Sequence, residues 1–72
     1  MQYLWKSNDC QTTNCPALLE TDDAYYVVGT DITPDELSQV VEAAAAAGSG
    51  IGEGESVVRL PKDILDRLAQ RR

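Results

Sequence analysis

The stretch that most restricts how this chain can fold is residues 15–47, CPALLETDDAYYVVGTDITPDELSQVVEAAAAA. It predicts a strand, a tight reversal, a second strand and then a capped amphipathic helix. Residues 17–20 and 25–28 are short apolar runs rich in side chains that suit a pleated surface, and the polar Thr21-Asp22-Asp23 between them marks the reversal. Thr33 stands ahead of Pro34, Asp35 and Glu36, which is a capping box with proline at the first helical position. Through residues 34–47, Leu37, Val40, Val41 and Ala44 fall at i, i+3, i+4 and i+7 and make one apolar stripe. The alanines at 43–47 favour helix and add little bulk, and Gly48 is a natural stop.

The remainder supplies pieces on either side. Residues 1–14 read as a strand around Tyr3, Leu4 and Trp5 followed by a polar loop, SNDCQTTN, whose short side chains favour turns. Pro16 biases Cys15 to an extended conformation and opens the strand. Gly29, at a strand end, suits a bend or bulge. Residues 48–55, GSGIGEGE, form a flexible connector; their glycines alternate, but neither dinucleotide nor P-loop spacing is met and Glu53 and Glu55 repel phosphate. Residues 56–60, SVVRL, read as a strand. Pro61 then opens a helix over residues 62–71 with Ile64, Leu65 and Leu68 as its stripe. At 72 residues this is a single domain with a marginal core, of a size that commonly needs a disulfide, a metal or a partner chain. The expected class is α+β: a small antiparallel sheet of three to four strands with two helices.

In the run YYVV, Tyr25 and Val27 share one face of the strand and Tyr26 and Val28 the other, so both faces are apolar. The helix over residues 34–47 is expected to cover one face. The ends of the chain, or another protein, must cover the second. Tyr25 and Tyr26 are therefore candidate partner-binding residues, as is Trp5, which serves either as a core plug or as an interface anchor.

Charge narrows the partners. The net charge is −6, all of it in residues 1–36, where seven acids meet Lys6 alone; residues 37–72 are balanced. That distribution opposes a phosphate backbone and suits a basic protein partner. The chain's end reverses the trend with Arg59, Lys62, Arg67, Arg71 and Arg72, cations that suit a helix C-terminus. With no histidine, Ser-His, Cys-His and His-metal constellations are excluded, and the expectation is no enzyme and no cofactor. No apolar run approaches a membrane span and no secretory leader opens the sequence, so the expectation is cytoplasmic and off the membrane. Cys10 and Cys15 then have three readings. They are two reduced thiols, with Cys15 buried and Cys10 exposed; or a disulfide closing a tiny loop; or half of a thiolate metal site completed by a second chain. The cytoplasmic expectation favours the first.

Two resemblances add to this reading. Trp5-Lys6-Ser7, a polar gap and Asn14-Cys15 leading into a strand resemble the opening of a family of small actinobacterial proteins known mainly as a domain of unknown function. CPALLETD, Tyr26-Val27-Val28-Gly29 and the closing GESVVRLP look like other short actinobacterial proteins of that general design. Genes of such families often lie beside helix-turn-helix regulators, and some members influence development. The resemblance thus implies a regulatory accessory protein acting as a homodimer or on a partner regulator. It brings no catalytic residues, and this chain departs from it by its alanine-rich helix and glycine loop. Separately, residues 54–68, GESVVRLPKDILDRL, are similar to the strand and helix of swapped-hairpin DNA-binding antitoxins and transition-state regulators, which grip DNA as dimers. Only Arg59 and Lys62 match the basic role there, the segment lies at the opposite end of the chain, and the acidic first half opposes it.

Overall fold

The fold is α+β, with two helices, a three-stranded antiparallel sheet and a separate two-stranded ladder. The computed structural model describes residues 1–71; Arg72, counted above with the basic end, lies outside the described residues. The apolar runs on either side of Thr21-Asp22-Asp23 become β2 (Ala17–Glu20) and β3 (Tyr25–Val28), and the amide of Thr21 donates to the carbonyl of Ala24 at 2.8 Å to close the reversal. The Thr21 hydroxyl also donates to Asp23 Oδ1, so the turn holds itself with its own short side chains. β1 (Gln2–Lys6) pairs antiparallel with the far side of β2, giving the order β1-β2-β3.

Register sets the faces. Trp5, Leu18 and Val27 lie side by side across the three strands, and so do Tyr3, Leu19 and Tyr26. A bulge between Tyr3 and Trp5 takes up Leu4. Because neighbours on a strand alternate, the Trp5 row and the Tyr3 row project to opposite sides.

The helix over the Trp5 row is α2 (Lys62–Ala69), and not the alanine-rich one. Ile64 and Leu18 are both fully buried, and together with Ala17 they are the buried apolar residues of the core. The Trp5 indole Nε1–H donates to the Ile64 carbonyl at 3.1 Å, and the Arg67 guanidinium lies 5.3 Å from the indole centroid. Trp5 therefore anchors α2 with both its ring and its polar edge. Further along, Arg71 makes a two-pronged ion pair with Glu20 on β2.

α1 (Pro34–Ala46) begins and ends as its sequence dictates. Thr33 Oγ1 accepts from the Glu36 amide at 3.2 Å, and Glu36 Oε1 accepts from the Thr33 amide at 2.9 Å. At the other end Gly48, with φ of 76°, lets its own amide and that of Ser49 reach the carbonyls of Ala45 and Ala44, the Schellman arrangement. Yet α1 buries none of its residues: Val40 and Ala44 are half-buried while Leu37 and Val41 are exposed. The expected cover of a sheet face by Leu37, Val40, Val41 and Ala44 is thus overturned. The stripe is built of short side chains, whereas α2 has the Trp5 contact and two side-chain clamps holding it down.

The strand expected over residues 56–60 is only β5 (Val58–Arg59), and it pairs with β4 (Thr30–Asp31) rather than entering the main sheet. Gly29, between β3 and β4, explains its own identity. A Cβ there would sit 2.7 Å from the Arg59 carbonyl oxygen, so only glycine admits β5 so close.

Candidate interaction surface

β3 is an edge strand whose four residues are all exposed. Tyr25 is 54% exposed, Tyr26 51%, Val27 45% and Val28 51%. Its hydrogen-bonded neighbour is β2 alone, which leaves its outer backbone groups free of strand partners among the described residues. Native sheets blunt such edges with charge, proline or a bulge. The opposite edge does so: β1 carries Lys6 and the bulge at Leu4. β3 carries none of these devices.

Both faces of the sheet contribute to the exposed surface at this edge. On the side away from α2, Tyr3 and Tyr26 flank the half-buried Leu19, and each tyrosine is more than half exposed. On the α2 side, an open groove of about 680 Å³ runs between Tyr25, Leu65, Leu68 and Ala69, with the Glu20–Arg71 pair at its wall. Leu65, expected in the buried stripe of α2, is half exposed here. Sequence spacing placed it on the apolar side of the helix but gave no sign that the sheet ends beneath it.

Of the sequence candidates, Tyr25 and Tyr26 come together on this edge. Trp5 sits apart, half-buried under α2, with its indole bonded to the Ile64 carbonyl. Arg59 lies exposed in β5, just past the end of β3 and against Gly29, where its carbonyl accepts from the Thr30 hydroxyl. Missed in the sequence were Tyr3, whose partners Leu19 and Tyr26 are fixed by strand register, and Leu65.

Cys10 and Cys15 are joined as a disulfide, and both are half-buried. The reading as reduced thiols, one buried and one exposed, is corrected: the polar loop between them turns back on itself and brings the two Cα atoms to 5.7 Å. Joined sulfurs do not act as thiolate ligands, so the half-site of a shared metal is not formed by this pair. Among the described residues no group of acids and cysteines is placed to hold a metal.

The titratable groups with displaced pKa values all do structural work. Asp63, in the first turn of α2, accepts from the Asn8 amide and the Ser7 hydroxyl, at 2.9 and 3.0 Å, and these bonds hold its carboxyl below the usual range. Arg67 donates to Asn8 Oδ1 and lies 3.9 Å from Asp63, completing the clamp. The Arg71 guanidinium lowers Glu20 and is itself raised by it. The capping bonds with Thr33 lower Glu36. Each shift favours the charged form, the reverse of what a general acid needs at neutral pH.

Compared with protein-family models, with curated proteins and with solved structures, the chain matches none of them.

Proposed function

We propose that this chain is a non-enzymatic protein-interaction module, a regulatory accessory that works against a second protein body, either another copy of itself or a partner regulator. The observation that carries this reading is surface area. At 7.8 kDa the chain exposes 5816 Å². A folded monomer of that mass is expected to expose about 4,400 Å². The surplus of about 1,400 Å² exceeds the roughly 800 Å² that each partner contributes to an interface of standard size. The radius of gyration agrees, at 13.9 Å against about 11 Å for a compact chain of this length. Large apolar side chains lie on that surface: Tyr3, Tyr25, Tyr26, Val27, Val28, Leu37 and Val41 are all exposed. The resemblance to proteins encoded beside helix-turn-helix regulators supports a regulator as the partner.

DNA binding draws little support from the cations at the chain's end. Arg67 lies over Trp5 and Arg71 pairs with Glu20, which leaves Arg59 and Lys62 for the role among the described residues of that end. No described helix is long and apolar enough to cross a membrane. Cytoplasmic placement turns on the Cys10–Cys15 bond, since such bonds persist mainly in oxidising surroundings.

The test combines mass and capture. Light scattering reports whether the purified chain pairs with itself, and the immobilised chain, with Tyr25→Ser and Tyr26→Ser as controls, reports a foreign partner. A dimer, or a protein retained by the parent and lost by folded variants, is the expected result. A monomer that retains nothing, or a salt-sensitive DNA shift abolished by Arg59→Ala, overturns the reading.

A further inference from the structure

The open edge of β3 is specific about what fits it. Four consecutive apolar residues expose both faces and an unpaired backbone edge, so an extended segment laid beside them gains main-chain hydrogen bonds and apolar contacts together. The ends of the strand are acidic. Asp22 and Asp23 precede it, and Asp31 follows it with Asp35 and Glu36 close behind in the chain; Arg59, across from Thr30 and drawn to Glu36, offsets part of the charge at that second end, so the Asp22-Asp23 end is the more acidic. The ion pairs of the described residues are Arg67–Asp63 and Arg71–Glu20, and neither uses those acids.

This charge pattern discriminates between occupants. When two copies pair antiparallel through the whole of β3, Tyr25 opposite Val28, Asp22 of one lies opposite Asp31 of the other, and two-fold symmetry repeats the clash. Like charges facing one another across a strand pair are destabilising. A strand with cations at its ends meets the opposite situation at both ends.

We propose that β3 is completed by strand addition, and that its occupant is an extended segment of a partner protein with an apolar centre of about four residues set between lysines or arginines. The backbone of that segment pairs with β3. Its alternate side chains lie on one side against Tyr26 and Val28. On the other side they lie against Tyr25 and Val27, with one reaching the groove over Leu65. The flanking cations meet Asp22 and Asp23 at one end and Asp31 at the other. This inference rests on the interaction-module reading and gives it a partner of defined chemistry.

The test uses the full chain and the capped synthetic peptide KRVTVTVRK. Its controls are EDVTVTVDE and a KRVTVTVRK analogue N-methylated on alternate central amides. The basic peptide is expected to shift the amide resonances of Tyr25 to Val28 and to bind at least about tenfold more tightly than the acidic one at low salt, the gap closing near 0.5 M salt. N-methylation, which removes backbone donors but no charge, is expected to abolish binding. The double variant Asp22→Asn, Asp23→Asn should keep its amide spectrum and lose most of the preference. Equal binding of the two charged peptides, or unmoved β3 resonances, overturns the proposal. A dimer dispersed by Val27→Lys gives the edge to a second copy, which overturns this occupant while the interaction-module reading stands. A monomer with unmoved resonances that also captures no protein overturns both.

Discussion

Ile64 on α2 and Leu18 on β2 are the fully buried side chains of a small core that holds the sheet and α2 together. Replacing a fully buried isoleucine by alanine costs about 2–5 kcal/mol, against a total stability of about 4–10 kcal/mol for a chain of this length. Ile64→Ala is therefore expected to lower the thermal midpoint followed by circular dichroism by roughly 10–40 °C, while Leu65→Ala, one residue on and half exposed, leaves it nearly unchanged. The charged residues give a second prediction. Glu20, Glu36 and Asp63 have folded pKa values below their ordinary 4.5, 4.5 and 3.8. Their stabilisation is complete above those ordinary values and is lost as the pH falls through the folded ones. The thermal midpoint should hold level from neutrality down to about pH 5 and drop below about pH 4. Asp63→Asn, which leaves a single neutral accepting oxygen where Ser7 and Asn8 each use one of two carboxylate oxygens, should lower the midpoint at neutral pH and flatten the acid drop. The Glu36 bonds were legible in the Thr33 box, but the Asp63 and Trp5 contacts were not, because Asp63 meets Ser7 across 56 positions and Trp5 meets Ile64 across 59. Trp5 was visible as an anchor; what it anchors was not.

At the scale of elements, the parts written locally were the parts that could be read. The turn at Thr21-Asp22-Asp23, the Thr33–Glu36 box and the Gly48 stop each depend on residues within a few positions, and each forms as its sequence predicts. Which helix covers the sheet depends on contacts between distant segments, and amphipathic spacing marks an apolar stripe without saying what lies against it. That is why α1 was expected on the sheet and α2 is found there. Because α1 buries nothing, its cap should matter locally: Thr33→Ala is expected to cost the helix about 1 kcal/mol, speeding amide exchange at Glu36 and Leu37 roughly fivefold, with little change in the global midpoint. The cysteine pair is the opposite case, a short spacing whose reading was steered by an assumed compartment. Closing so small a loop is worth about 2 kcal/mol in the unfolded-chain picture, so Cys10→Ser with Cys15→Ser should lower the extrapolated unfolding free energy by that amount, read as a lower denaturant midpoint.

For the whole molecule the governing fact is a mismatch between what the chain contains and what it hides. Apolar residues make up 43% of the sequence, an ordinary share for a folded domain, yet Ala17, Leu18 and Ile64 are the buried ones. A domain with this composition normally spends its apolar surface on its own core, and this one leaves Tyr25 to Val28 and the Leu37–Val41 side of α1 outside it. The free chain is accordingly expected to be weakly stable, and its partner to supply the missing burial. Linkage sets the size of the effect: a ligand of the folded state at about one hundred times its dissociation constant adds about 2.7 kcal/mol. In a domain of this length each kcal/mol moves the midpoint by about 4–8 °C, so saturation should raise it by roughly 10–20 °C. Thermal scans over a titration of the captured partner measure this directly. The rise should disappear in Tyr26→Ser, which alters β3 on the face away from α2. A rise of the same size in that variant would place the contact elsewhere, with the exposed stripe of α1 as the remaining apolar surface large enough to carry it.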